Sequence, residues 1–179
     1  PAAKIIHGEY STLPFWLPGI DENWDAVIVV GGHSMAGTKD GVLAHSKCIW
    51  NGSIALGEVG NCALLFGTYN TPLVLVSGDT MLRKEVAAIL PDTEFAVVKE
   101  SLSTNIAKSL HPSVAQERIR QGVVKGLARR SEIEPYMIDC PCTLATRVVV
   151  ARDEQDAILE GENPIDVFKK LGNWSHPRT

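Results

Sequence analysis

The sequence lacks the features of a membrane-spanning or nucleic-acid-binding protein. Its longest apolar runs, Ala26 to Val30 and Pro72 to Val76, are far shorter than the roughly 20 residues that cross a bilayer. Lysine and arginine number 17 against 21 aspartates and glutamates, and they form no continuous basic stretch. The first residues show no signal-peptide pattern. We therefore expect a soluble, cytoplasmic protein that binds neither membranes nor nucleic acid.

Cysteine is scarce and is not spaced for a zinc knuckle or a redox pair. The four cysteines are Cys48, Cys62, Cys140 and Cys142, and no two of them have the spacing Cys-x-x-Cys. A role as small buried side chains explains them better than metal binding. Because 45% of the 179 residues are hydrophobic and 21% are charged, the composition indicates one folded domain with a core.

Short β-branched runs alternate with helical stretches, which is typical of an α/β fold with a mostly parallel central sheet and flanking helices. The predicted strands are Ala3 to His7, Asp25 to Val30, Lys47 to Asn51, Leu73 to Val76, Glu94 to Val98 and Leu144 to Val150. The predicted helices are Ile54 to Tyr69, Met81 to Leu90, Pro112 to Arg129 and a short one at Asp153 to Glu160. We predict an α/β domain over residues 1–150 and a C-terminal extension over residues 151–179.

Polar residues beyond the predicted strands are candidates for a site, because open α/β sheets bind ligands at the carboxyl ends of their strands. His33 follows the strand Asp25 to Val30, and His45 ends the glycine-rich loop behind it. Glu58 lies among apolar residues and glycines, where a carboxylate needs a partner such as a metal ion or a substrate amine. Imidazole and carboxylate together suit zinc or another first-row divalent ion.

An ordinary structural role stays open for each of these residues. A histidine after a strand is more often hydrogen-bonded or exposed than a ligand, and the spacing of His33 and His45 matches no short metal motif. Lys99 follows an apolar strand and leads into a polar loop that ends at Asn105. The two could bind substrate at this edge of the sheet, but a surface role for Lys99 beside Glu100 explains it equally well.

Several motifs in this chain occur together and in order. They are Gly31 to Thr38, Gly41 to Ser46, Asn51-Gly52, Gly57 to Gly60, Val76 to Asp79 and Val98 to Glu100. In this set the sequence resembles the zinc D-aminopeptidase family of the dipeptide-permease operon, peptidase family M55. The resemblance runs from about Ala3 to Ala128, and the tail beyond Arg147 is only loosely similar.

The resemblance implies roles for three residues and an activity. It implies that His33 and Glu58 are zinc ligands, and that His45 is the catalytic histidine, acting as nucleophile or base. The implied reaction is hydrolysis of the amide or peptide bond after an N-terminal, D-configured amino acid, with two zinc ions that polarise the carbonyl. The resemblance further implies a ring-like homo-oligomer.

The chain departs from the family pattern at its start. Family members carry an acidic Asp-x-Glu motif on the first strand and a histidine in an Asn-Asp-Ser/Ala-His stretch as further zinc ligands, and these motifs are not present here. We expect an upstream fragment or a partner chain to supply the first strand and the remaining ligands. A truncated, inactive chain is the other interpretation.

Two alternatives to this enzyme function stay open. One is a non-catalytic assembly or binding subunit that keeps the fold. The other is an amidohydrolase that acts on another small amide, because the residues themselves do not specify the configuration of the substrate.

Overall fold

The computed structural model describes residue 20 and residues 24–150 and 153–175. Its elements, in chain order, are β1 Val27–Val29, β2 Cys48–Trp50, β3 Ile54–Leu56, α1 Glu58–Gly67, β4 Leu73–Asp79, α2 Thr80–Ile89, β5 Glu94–Ser103, β6 Ile106–Ser109, α3 Pro112–Ala128, β7 Cys142–Val150, β8 Asp153–Gly161 and α4 Pro164–Ser175. The strand predicted at Ala3 to His7 lies outside the described residues. Within the described ranges, no helix has the length and apolar character that a membrane span requires.

The first sheet is mostly parallel, as the sequence predicts, and has the strand order β1-β4-β5-β6. β4 pairs in parallel with β1 and β5, and β6 runs back antiparallel to β5. All seven residues of β4 are buried, which is typical of a parallel strand covered on both faces. Helices α2 and α3 pack on this sheet. The prediction of an α/β fold with flanking helices is confirmed.

The second sheet is antiparallel, has the order β3-β2-β7-β8, and was not predicted. The sequence analysis places Ile54 to Leu56 in a helix, but these residues form β3 and pair with β2. The turn between β2 and β3 has Asn51 at φ 46° and Gly52 at φ 73°, the left-handed backbone that a tight hairpin requires. Helix α1 therefore begins only at Glu58.

The predicted helix over Asp153 to Glu160 is also wrong, because these residues form β8. This strand pairs along its whole length with β7. Ala157 and Leu159 turn toward the core while Asp156 and Ile158 are exposed, so the side chains alternate with the period of two that defines a strand. Because acidic residues occupy much of this segment, the alternation of apolar and polar residues is not evident in the sequence.

Helix α4 was also missed, and it packs into the core of the antiparallel sheet. Ile165, Val167 and Phe168 of this helix belong to the buried core cluster. Asn163 precedes the helix and accepts a hydrogen bond from the Asp166 amide at 3.0 Å, which caps the helix N-terminus. The division between a domain ending at residue 150 and an extension beyond it stays a prediction.

Helix α1 contributes to the hydrophobic clusters of both sheets. Leu64 and Leu65 pack with the antiparallel sheet and α4, whereas Val59 and Ala63 pack with the parallel sheet and α2. The first residue of α1 directly follows β3 and Gly57, at the start of the helix that packs on both clusters. This residue is Glu58.

Candidate functional site

Gly31 and Gly32 connect β1 to His33 and lie beside Ser77 of β4. Gly31 has φ 81°, and its N–H donates to the Ser77 hydroxyl at 3.0 Å. Gly32 donates to the Ser77 carbonyl at 2.9 Å, and a Cβ at Gly32 would lie 2.8 Å from the Val59 side chain. Only a residue without a side chain fits between β4 and α1 here. His33 therefore emerges at the edge shared by the parallel sheet and α1.

The loop from His33 to Ser46 closes on itself and brings the two histidines together. The His45 amide donates to the Ser34 carbonyl at 3.1 Å, and the Ala36 amide donates to the Ser46 carbonyl at 3.0 Å. The imidazole centroids of His33 and His45 lie 5.3 Å apart, with the rings inclined by 54°. The structure thus brings both histidines to one place.

Both imidazoles are oriented by backbone carbonyls of the same loop. His33 Nδ1 lies 3.2 Å from the Val42 carbonyl oxygen, and His45 Nδ1 lies 2.7 Å from that of Leu43. A carbonyl oxygen only accepts, so Nδ1 carries the proton in each ring. This leaves Nε2 of His33 as the nitrogen with a lone pair when the ring is neutral, an arrangement common to metal-bound histidines.

Glu58 reaches the histidines from the start of α1, directly after β3 of the antiparallel sheet. Its Oε1 lies 3.1 Å from His45 Nε2 and accepts a second hydrogen bond from the Ser46 hydroxyl at 3.3 Å. The carboxylate stands in the first turn of α1, where the helix dipole favours negative charge. The glutamate side chain is 40% exposed, so the carboxylate and its imidazole partner lie at an open surface.

The environment of His45 favours its protonated form. The Leu43 carbonyl raises the pKa of His45 most, and the Glu58 carboxylate raises it further, while partial burial acts in the opposite direction. The side chain is 49% exposed, so solvent reaches the ring. The arrangement can hold a proton at Nε2 and deliver it to, or take it from, a group bound beside the ring.

The donor types suit zinc, but the donor number falls short. In the ranges that the structure describes, no three His, Cys, Asp or Glu side chains converge on a point where one ion could bind all of them. His33 and Glu58, the two ligands predicted from the sequence, would give one ion only two protein donors, and protein zinc sites use at least three. These residues therefore do not form a complete zinc centre by themselves.

Lys99 does not lie at a strand end as predicted, whereas Asn105 lies in a turn, as the predicted polar loop requires. The predicted strand ends at Val98, yet β5 continues to Ser103, so Lys99 is a mid-strand residue and not a strand end. Lys99 stands opposite Asp79, the last residue of β4, and Glu100 pairs across the β5–β6 hairpin with Lys108 at 3.9 Å. Asn105 is exposed in the hairpin turn.

The β5–β6 hairpin makes hydrogen bonds to the loop from His33 to Ser46. The Leu43 amide donates to the Thr104 carbonyl at 2.8 Å, and the Ser101 hydroxyl donates to the Asp40 carbonyl. Asn105 is therefore next to the residue that holds the loop. A role for Lys99 or Asn105 in substrate binding stays a prediction.

The sequence analysis missed Glu85, a residue of α2 that contacts the site. Its Oε2 accepts a hydrogen bond from the Met35 amide at 2.9 Å. Burial raises the pKa of Glu85, the Met35 hydrogen bond lowers it, and the Asp79 charge raises it again. The sequence held a signal, because Glu85 falls on the same helical face as Leu82 and Ile89, which are apolar.

A comparison with protein-family models shows which family the chain belongs to. The model of peptidase family M55, described as D-aminopeptidase, matches residues 1–159. The chain belongs to this D-aminopeptidase family. The resemblance stated from the sequence motifs is thereby confirmed.

Two relatives place this M55 chain among known proteins. It is 28% identical over 141 residues to a D-aminopeptidase of Bacillus subtilis (strain 168), covering 75% of this chain and 50% of the relative. The chain thus spans about half the length of that curated relative. It is also similar in fold to the Zn-dependent D-aminopeptidase DppA from Bacillus subtilis, a self-compartmentalizing protease, with a TM-score of 0.79 and 20% identity over 93% of this chain and 69% of that one.

Proposed function

We propose that this chain hydrolyses, in a metal-dependent manner, the amide or peptide bond after an N-terminal, D-configured amino acid in short peptides or amides. The observation that carries the proposal is the cluster of His33, His45 and Glu58, with His45 Nε2 at 3.1 Å from Glu58 Oε1, in a chain of the D-aminopeptidase family.

His45 is the proposed catalytic residue. The Leu43 carbonyl fixes its ring through Nδ1, so Nε2 is the atom that exchanges protons with substrate. As a base, Nε2 takes a proton from the attacking water and later gives it to the leaving amine. The Glu58 carboxylate stabilises the imidazolium that forms between these steps. If His45 is instead the nucleophile, its deprotonated Nε2 adds to the carbonyl, the C–N bond to the leaving amine breaks as the amine takes up a proton, and water then hydrolyses the acyl-imidazole.

His33 and Glu58 are the proposed metal ligands. His33 offers Nε2, and Glu58 offers its carboxylate next to His45. Zinc, when bound, supplies polarisation of the scissile carbonyl. Since two ligands are too few, we propose that an upstream fragment or a partner chain supplies the others, and two ions in the complete site stay part of this proposal. DppA is described as self-compartmentalizing, and we propose that this chain likewise assembles with its own copies.

The test measures hydrolysis of D-alanine amide and L-alanine amide, together with zinc content, on the chain in its native assembly and on four variants. We expect His45→Ala to lower kcat on the D-amide by about 10²- to 10⁴-fold while zinc is retained. His33→Ala and Glu58→Ala should lose zinc as well as activity. His111→Asn is the matched control, because His111 caps α3 far along the chain from this cluster and asparagine is also a good cap.

Full activity of His45→Ala would refute the catalytic role of His45. A preference for the L-amide would refute the proposed D-configuration of the substrate. A second candidate function, a non-catalytic assembly subunit, is favoured by the absence of a three-ligand cluster within the described ranges. It predicts a chain that assembles but neither binds zinc nor cleaves either amide in its native assembly. Zinc analysis of the purified assembly separates the two functions before any substrate is tried.

A further inference from the structure

One carboxylate outside the histidine cluster touches both chain segments that form it. Glu85 lies on α2, and its Oε2 accepts the Met35 amide at 2.9 Å. Its Oε1 lies over Gly57, where a Cβ would come within 2.9 Å of it. Each oxygen therefore faces a different segment.

Those two segments hold the proposed ligands. Met35 is two residues after His33, in the loop that follows the parallel sheet, and Gly57 is the N-cap residue directly before Glu58. The segments also touch each other, because a Cβ at Gly57 would lie 2.8 Å from the Met35 Cβ. Glu85 thus packs at the contact between the His33 loop and the start of α1.

Core packing does not explain a carboxylate at this position. The neighbouring positions on the same face of α2, Leu82 and Ile89, are apolar, and leucine at position 85 would continue that face. A half-buried carboxylate beside a second one, Asp79, carries a cost in solvation and repulsion. What the carboxylate provides, and leucine would not, is an acceptor for the Met35 amide.

We propose that Glu85 is a positioning residue that fixes the His33 loop against the N-terminus of α1, and so sets the distances among His33, His45 and Glu58. Its effect on catalysis rests on the proposed function. Its effect on the loop does not. Loss of the Met35 hydrogen bond frees the loop near His33, and displacement of a reacting group by about 1 Å can lower a rate by about 10²-fold.

The experiment compares Glu85→Ala, which removes the acceptor, with Glu85→Gln, which keeps an amide oxygen at the same reach. Hydrogen exchange of the Met35 amide is measured in the full chain, along with kcat and KM on D-alanine amide. For Glu85→Ala we expect exchange to be faster by about tenfold or more, since one hydrogen bond is lost. We also expect kcat to fall by about 10- to 100-fold, with KM changed by less than about threefold.

Glu85→Gln should restore slow exchange and most of kcat. Glu134→Ala, which removes an exposed carboxylate on the connection between α3 and β7, is the control and should change neither quantity. If Glu85→Ala does not fold, Glu85→Leu provides the same test, because leucine continues the apolar face of α2 and offers no acceptor to the Met35 amide.

Unchanged exchange of the Met35 amide in Glu85→Ala would overturn the proposal. Equal loss of protection in the alanine and glutamine variants would also overturn it, because the hydrogen bond would then not be the contact that matters. If the unaltered full chain cleaves no D-alanine amide, the proposed function fails, and the exchange measurement still decides whether Glu85 holds the loop.

Discussion

Two chain segments reach the site from different sheets, and their backbones differ. The loop behind β1 holds three non-glycine residues in the left-handed region, Asp40 at φ 59°, Leu43 at φ 52° and Ser46 at φ 56°. The segment behind β3 has one extended residue, Gly57 at φ −83°, and passes directly into α1. The histidines thus lie on a strained loop, and Glu58 lies on the end of a regular helix.

The supports of the two segments differ in the same way. The helix end is anchored in the core, because Asn61 of α1 donates to the Gly57 carbonyl at 2.9 Å and accepts from the buried Trp50 indole at 2.8 Å. The loop is held by polar contacts nearer the surface, among them the amide of Leu43 on Thr104 and that of Met35 on Glu85. A fixed carboxylate therefore faces histidines whose position depends on a few hydrogen bonds.

The largest expected effect comes from removing the core support of the helix end. Trp50→Ala should lower the free energy of unfolding by about 3–5 kcal/mol, because it leaves a large cavity. Trp50 is fully buried, stacks on Phe168 at 5.7 Å between centroids, and is the donor to Asn61. The measurement is urea unfolding followed by circular dichroism.

The control for this change lies in the same sheet. Ile158 of β8 is 76% exposed, and Ile158→Ala should alter the free energy of unfolding by less than about 0.5 kcal/mol. Equal losses for the two variants would contradict the idea that the antiparallel sheet supports the site through its core.

The second-largest effect tests how closely the start of the loop packs against α1 and α2 at Gly32. Gly32→Ala should lower the free energy of unfolding by about 1–3 kcal/mol, because the new Cβ would lie 2.8 Å from Val59 and 3.0 Å from Leu82. In the double variant with Val59→Ala, the loss should be smaller than the sum of the two single losses. Additive losses in urea unfolding would show that Gly32 and Val59 do not compete for the same space.

The parallel strands could be predicted from the sequence because their signals are local, whereas the antiparallel edge strand β6 was missed. β4 begins with the unbroken apolar run Leu73 to Val76, and α2 and α3 begin at a capping aspartate and an N-terminal proline, respectively. The antiparallel sheet gave weaker signals. Ile54 to Leu56 is too short and apolar to be told from a helix start, and β8 carries acidic residues on its exposed face.

The histidine cluster was within reach of sequence reasoning for a similar reason. Gly31 and Gly32 mark the point where His33 leaves a strand, and Glu58 stands out among apolar neighbours. The apolar face of α2 marks Glu85 as unusual, but its role was not within reach, because its partner, Met35, lies 50 residues away along the chain. Only the packing of α2 against the loop creates that contact.

A smaller effect tests whether the loop is strained. Leu43→Asn should raise the free energy of unfolding by about 1 kcal/mol, because asparagine tolerates the left-handed region better than leucine does. The Leu43 side chain is 57% exposed, so little burial is lost, and its backbone contacts to Thr104 and His45 do not depend on the side chain.

The matched control for this change is Leu102→Asn. Leu102 is 56% exposed but is not among the residues with positive φ, so its replacement in β5 should give no gain. Thermal unfolding of both variants is the measurement. A loss of stability in Leu43→Asn would contradict the contrast between the strained loop and the regular helix end.

The smallest effect concerns the charge that holds the loop. Because burial raises the pKa of Glu85 above its ordinary value of 4.5, the folded chain binds this proton more tightly than the unfolded chain does. The stability that this proton binding provides is fully present below pH 4.5 and is lost as the pH rises through the raised pKa. Glutamine does not titrate, so Glu85→Gln lacks this loss.

The difference in the free energy of unfolding between Glu85→Gln and the unaltered chain should therefore shift in favour of the variant as the pH rises from 4.5 toward neutrality. Urea unfolding of both chains across that window measures it, and Asp79 is common to both. A shift in the opposite direction would mean that the loop amide stabilises the carboxylate more than burial and Asp79 oppose it. The hydrogen bond from the Met35 amide would then hold the strained loop most strongly when Glu85 is ionised.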